Sequence, residues 1–307
     1  MNNLTIKKTR ALLLLAYAAI FLWSFQTHGL PVARMAVLSW VAAAFVVGNI
    51  GQPKRKQMQM AGDLALYAAM WLSYDYSRGT ADSLGFPLQV ELPRNIDKFL
   101  FVGHDPNVWI QEHFWHQQIR WYDVIGSLVY FTHFFVPVAT SVYLWVRYRD
   151  EWVRYMRRFA TVLFAGVLTY IIAPTVPPWM AASTQYKYQI LEPLQRTTGR
   201  GWSWLGLETV SSVLLRGQQW SNPTAALPSL HAAFALFVVV FFWKKFPRVW
   251  MRWTALLFPF AMAVTLVYFG EHYVTDIFVG WAYVAGSLWF WDRWESKRAT
   301  RSPLASE

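Results

Sequence analysis

Apolar runs near bilayer length recur along almost all of this 307-residue sequence, and no other feature constrains its fold as much. A helix needs roughly 20 apolar residues to cross a hydrocarbon core, and in lipid its backbone polar groups must be satisfied internally. Runs of this kind at 10–27, 31–50, 61–78, 122–146, 159–173, 226–243, 253–270 and 273–291 predict eight spans. The expected fold class is all-α, a polytopic membrane helix bundle. The third span is the most polar, with Asp63, Asp75 and Arg78 at its ends, and the fifth is short and stopped by Pro174. Lys7, Lys8 and Arg10 precede the first as in a signal peptide. No small-x-small site follows before Trp23 and Phe25, so an uncleaved span is expected.

Charge orders these spans across the bilayer. The net charge of +11 suits either nucleic acid or an anionic membrane face, and the placement of the charges decides between them. With the amino terminus inside, the inner segments hold 19 of the 28 basic residues, including Lys54–Lys56, Arg147–Arg158 and Lys244–Arg252. The outer side keeps 9 basic against 11 acidic residues. Basic inner loops follow the positive-inside rule, so both termini are expected in the cytoplasm and nucleic-acid binding is not. The 19 Trp and 15 Tyr suit the membrane–water interface. With no Cys in the chain, disulfides, a thiol nucleophile and a Cys-type zinc site are excluded.

Residues 1–60 read as two N-terminal spans, 61–295 as a membrane core and 296–307 as a cytoplasmic tail. Two outer segments, 79–121 and 174–225, are long for plain linkers. Trp109, Trp115 and Trp121 in the first suggest short helices lying along the membrane surface.

Three polar clusters fall on the outer face: Ala173–Trp179, Asn222–His231 and Tyr268–Asp276. Pro228 and Ser229 suit a helix start, with serine as the cap and proline preset in φ. Such a start aims backbone N–H groups outward, where they suit a phosphate, and His231 sits in the first turn as a proton donor. An ordinary cap followed by an interfacial histidine has the same pattern. His272 and Asp276, four apart, share a face if helical. The carboxylate then fixes the imidazole tautomer and frees the other nitrogen for attack on phosphorus. A plain interfacial His–Asp hydrogen bond reads the same way in sequence.

In order and spacing these residues resemble the type-2 phosphatidic acid phosphatase superfamily, with Pro228-Ser229-Leu230-His231 as its second motif and His272 through Asp276 as its third. Pro174, Pro177, Pro178 and Trp179 resemble the element that replaces the first motif in the inositol phosphorylceramide synthase branch. Segments 74–79 (Tyr-Asp-x-x-Arg-Gly) and 130–134 (Tyr-x-x-His-Phe) look like bacterial members of that branch. The resemblance implies His272 as nucleophile, Asp276 as its orienting partner and His231 as the acid that protonates the leaving oxygen. It also implies Ser229, Pro228, Pro178 and Trp179 around the substrate. It points to a phospholipid or lipid phosphate substrate within the bilayer and an alcohol or water acceptor. Neither metal nor other cofactor is expected.

The Lys and two Arg with which the wider superfamily grips a terminal phosphate have no counterpart at the matching positions. Lys187, Arg196, Arg200 and Arg216 remain as candidate substitutes. His133, about 16 Å into the fourth span by the helical rise, either lines the lipid path or is a structural histidine. His113 and His116, near His104, have a spacing more common in surface residues than in metal ligands. A lipid phosphotransferase is the first reading and a lipid phosphate or diphosphate phosphatase the second. A transporter would place ionisable groups at matching midplane positions in two halves, whereas these motifs gather on one face.

Overall fold

In a computed structural model the chain is described over residues 3–28, 34–80, 84–208, 210, 212 and 223–301. Arg216, Asn222 and the side chain of Arg78, all singled out above, lie outside the described residues. The described residues are predominantly helical and divide into two units, 1–71 and 72–307.

In the first unit, α1 (Asn3–His28) and α2 (Arg34–Asn49) pack together. The Tyr17 hydroxyl donates to the Trp40 carbonyl at 3.1 Å, and Phe21 meets Trp40 edge-on with centroids 5.1 Å apart. The helix α3 (Lys54–Thr80) begins in this unit and runs into the second.

The second unit contains α4 (Leu92–Leu100), α5 (Pro106–Phe114), α6 (Trp121–Arg147), α7 (Arg149–Ile172), α8 (Pro178–Ala182) and α9 (Arg200–Trp204). Beyond these lie α10 (Leu230–Phe241), α11 (Val249–Ala255), α12 (Leu257–Tyr268) and α13 (Val274–Arg301). The organising element is α10, which packs against α6, α7, α12 and α13. Its residues are apolar on nearly every side, as a helix enclosed by others requires, and Ala232, Ala233, Phe234, Ala235 and Phe237 are buried.

Among the described residues, four helical stretches are long and apolar enough to cross a membrane: Leu4–His28, Trp121–Arg147, Arg149–Ile172 and Val249–Tyr268. The multi-pass membrane architecture therefore stands, with element bounds that differ from the sequence expectation. The fifth run starts at Arg149 rather than residue 159. Asp150 and Glu151 suit the positive end of the helix dipole there, and Arg158 is buried against Asp292 at 2.6 Å and Glu295 at 2.8 Å on α13. The seventh run is interrupted at Leu256, because Pro259 has no N–H to give the carbonyl four residues back. The sixth run yields only the 12 residues of α10, about 18 Å of helix, since residues 223–229 approach it in non-helical backbone. Such backbone is tolerated at membrane depth where protein surrounds it. Here Thr175 N–H donates to Thr224 O at 2.7 Å and Ser229 N–H to Asp276 O at 2.9 Å.

The long segments 79–121 and 174–225 contain short helices among their described residues. On α4, Leu92, Phe99 and Leu100 are exposed while Pro93 and Asp97 are buried, the division expected of an interfacial helix. Trp109 on α5 and Trp121 at the head of α6 are also exposed, and Trp115 is half-buried. Isolated parallel bridges join Gln89 to Thr175 and Thr175 to Ala225, stitching both long segments to the peptide that leads into α10.

Candidate active site

Each catalytic candidate is held by a local rule. Ser229 is the N-cap of α10, its Oγ accepting from Ala232 N–H at 3.3 Å. This places His231 in the first turn, as expected. Pro228 lies before the cap, not at the first helical position, and its peptide bond with Leu227 is cis. The Pro228 carbonyl accepts from the Tyr170 hydroxyl at 2.8 Å, which anchors the turn to the end of α7.

The third motif is built from two helix ends. After α12 the chain reverses through Gly270, whose φ of 70° lies in the left-handed region open to glycine. Glu271 N–H then bonds Leu266 O at 3.0 Å. Asp276 sits in the first turn of α13 and reaches back, its Oδ2 accepting from Tyr273 N–H at 2.9 Å, the return half of a capping box. His272 thus precedes α13, and the expectation that it shares a helical face with Asp276 is corrected. Their proximity comes from the capping turn, with Nδ1 of His272 and Oδ2 of Asp276 3.4 Å apart.

A nearer neighbour of His272 Nδ1 is the Ala226 carbonyl, at 2.9 Å. A carbonyl only accepts, so Nδ1 carries the proton and Nε2 holds the free lone pair. That nitrogen faces Nδ1 of His231 at 3.4 Å. His272 and Asp276 are buried, and one carboxylate oxygen of Asp276, Oδ1, has no hydrogen-bond partner among the described residues. His231 is half-buried between Tyr130, stacked on it with centroids 4.9 Å apart, and His133, whose ring lies 3.9 Å away. His133 therefore belongs to the centre. It is the thirteenth residue of α6, so the site lies about 18 Å along that helix from Trp121. The Nδ1 of His133 is buried without a hydrogen-bond partner among the described residues.

The remaining predicted residues, Pro178 and Trp179, lie on the element that meets the turn before His272. Pro178 is buried at the head of α8, and Trp179 N–H donates to Gly270 O at 2.9 Å. The element at 174–179 thus links the bridge at Thr175 to the turn that carries His272. Sequence reasoning missed the residues of segment 79–121 that brace this turn. Asp97 accepts from Val274 N–H and Thr275 N–H, both at 2.8 Å, in effect capping α13 from outside. Burial pushes the Asp97 carboxyl up, and these hydrogen bonds oppose the rise. The Asn107 amide donates to Val267 O at 2.9 Å and His272 O at 3.0 Å, and the Gln111 amide to Tyr268 O at 2.7 Å. Polar residues on the short helices α4 and α5 were the available signal, but their partners in this turn lie 157 to 178 residues away along the chain.

Of the candidate cations, Arg200 is 3.9 Å from Asp123 and donates to the carbonyls of His116 at 2.6 Å and Gln117 at 3.0 Å. Arg196 makes a two-point pair with Glu271, at 2.8 and 3.1 Å, and lies 4.2 Å over the Trp179 ring. Burial works against its charge, but Glu271 outweighs burial and holds the guanidinium above its usual range. Lys187 is exposed. Among the described residues, no group of three His, Asp or Glu side chains is placed to hold a metal.

The arrangement has one histidine with a free nitrogen, a second facing it, and a buried carboxylate behind the first. This suits in-line attack on phosphorus with proton delivery to the leaving oxygen. Residues 96–290 match the family model of the PAP2 superfamily. The chain is also similar to a phosphoinositol dihydroceramide synthase of Bacteroides thetaiotaomicron, 28% identical over 260 residues and covering 80% of each chain. No solved structure matches it. The histidine centre and the family match lead to one assignment: the chain belongs to the PAP2 superfamily and is a membrane enzyme of the lipid phosphotransferase and phosphatase class.

Proposed function

We propose that the protein transfers a phosphorylated head group from a phosphodiester lipid to a second alcohol, through a phosphohistidine at His272. The observation that carries this reading is the Nδ1–Ala226 hydrogen bond, which leaves Nε2 of His272 as the free nucleophile facing His231. Nε2 forms the bond to phosphorus as the bond to the leaving lipid oxygen breaks, and protonated His231 gives that oxygen its proton. The incoming alcohol then attacks phosphorus, its proton passes to His231, and the bond to Nε2 breaks. Asp276 supports the positive charge that develops on the His272 ring.

Charge supports a diester over a monoester. A phosphate monoester brings nearly two negative charges at neutral pH and a diester one, and taking either from water is costly without compensating cations and donors. The three cations of the wider superfamily are missing from the matching positions. The relative's name specifies a phosphoinositol product on dihydroceramide. By likeness we infer an inositol phosphodiester donor and a long-chain lipid alcohol as acceptor, with water a slower acceptor. From the distribution of basic loops we infer a centre on the non-cytoplasmic side of the cell membrane.

The test compares kcat/KM in mixed micelles for an inositol phosphodiester glycerolipid and its matched phosphatidate, scoring head-group transfer and phosphate release separately. The diester is expected to be preferred, with transfer exceeding hydrolysis when a lipid alcohol is supplied. A preference of about tenfold or more for phosphatidate, ~1.4 kcal/mol in transition-state binding, would move the protein to the phosphatase class.

A further inference from the structure

We propose that Arg196 is the phosphate-gripping cation of this centre, and that Glu271 restrains its charge to suit a singly charged phosphodiester. The proposal deepens the function proposed above and rests on its view that phosphorus meets His272.

Placement distinguishes Arg196 from the other loop cations. Its partner Glu271 is the residue immediately before His272, and the pair closes at 2.8 and 3.1 Å. Its guanidinium lies 4.2 Å over Trp179, whose N–H holds the Gly270 carbonyl one residue further back. Arg196 is thereby tied, through two neighbours, to the turn that carries His272. Arg200, in contrast, is spent on Asp123 and two backbone carbonyls.

The side chain also keeps capacity for a ligand. A guanidinium has five N–H donors, and Glu271 engages it through Nε and one Nη only. The Arg196 side chain remains 32% exposed, whereas that of Glu271 is 10% exposed. Beside it, Thr197 Oγ1 is buried without a hydrogen-bond partner among the described residues, while Thr198 donates to Glu271. A planar fork with spare donors suits phosphate oxygens. Glu271 cancels much of the charge at longer range, so a second negative charge on the ligand meets little attraction. One restrained arginine would therefore discriminate between diester and monoester where three free cations would favour the monoester.

The competing explanation is that the pair only latches residues 183–199 onto the turn before His272. The two are separated with full-length protein in detergent micelles, using a short-chain inositol phosphodiester glycerolipid and its matched phosphatidate as probes. Equilibrium binding is measured in the His272→Ala background, which requires no covalent chemistry. Arg196→Gln should weaken binding of both probes about 10- to 100-fold, the range for loss of hydrogen bonds to a charged group. Glu271→Gln should improve phosphatidate binding relative to the diester by about tenfold, because it releases the full charge. The double variant Arg196→Gln/Glu271→Gln restores a neutral hydrogen-bonded pair. It should recover the thermal midpoint but not the binding, and it carries the test if the single variant does not fold. Unchanged binding in Arg196→Gln, or binding restored in the double variant, overturns the proposal in favour of a latch. Absence of phosphohistidine in the wild-type protein would sink the transfer reading while leaving these binding results to decide the role of Arg196.

Discussion

A histidine whose Nδ1 lies 2.9 Å from a carbonyl has one tautomer available, and this sets the expected behaviour of variants at the centre. His272→Ala should abolish both turnover and acid-labile phosphate on the protein. His231→Ala should slow phosphohistidine formation about 10²–10⁴-fold, the usual cost of losing a positioned acid, while leaving lipid binding nearly intact. Rapid-quench measurement of labelled protein checks both, and wild-type activity in either variant would refute the assigned role. Asp276→Asn separates tautomer control from charge support. Ala226 O still holds Nδ1–H in that variant, so the loss should fall below the ~10⁴ seen where an aspartate is the sole tautomer anchor. A loss of that full size would show that the carbonyl does not hold the ring alone.

Among the elements, α10 and the α7–α13 pair divide the work. The 12-residue helix α10 begins beside His133, and its non-helical approach is bonded to neighbouring backbone. Its fit to α13 is close, since a Cβ at Gly280 would come within 2.5 Å of Ser229 O. On the same long helices, beyond the histidines, Arg158 is 1% exposed and held by Glu295 at 3.0 and 2.8 Å. Glu295→Gln should cost about 1.5–3 kcal/mol, the range for hydrogen bonds to charged groups. The Arg158 hydrogen bond holds the Glu295 carboxyl below its usual range. A depressed carboxyl contributes stability above its unfolded pKa, about 4.3, and loses it as pH falls through the folded value. The gap in thermal midpoint between wild type and Glu295→Gln should therefore be constant near neutrality and close below about pH 4. A gap unchanged into strong acid would mean the ion pair contributes nothing.

For the whole molecule, the distribution of basic residues predicts which face carries the centre. The chain has no Cys, so single introduced cysteines report their own side. Gln185 and Lys244 are both exposed and lie in segments assigned to opposite faces. Gln185→Cys should react with an impermeant thiol reagent added to intact cells, and Lys244→Cys only after permeabilisation. The reverse pattern would invert the placement of the active site.

The all-α membrane class was legible because bilayer length and backbone satisfaction leave a chain this apolar few alternatives. The helix-start chemistry of Ser229 and the grouping of His231, His272 and Asp276 were legible for a similar reason, since caps and short motifs are local. Element bounds were less so. The polar turn from Arg149 to Arg158 reads as a loop until Asp292 and Glu295, more than 130 residues later, neutralise Arg158. Likewise, a run of apolar residues at 226–243 does not reveal that its first four are non-helical. Only the tertiary structure brought His133 from mid-helix to His231, set the Ala226 carbonyl against His272 and joined Arg196 to Glu271. Such pairings depend on where separate helices stop and how their ends pack, and no local pattern in the chain encodes the partner of a side chain that far away.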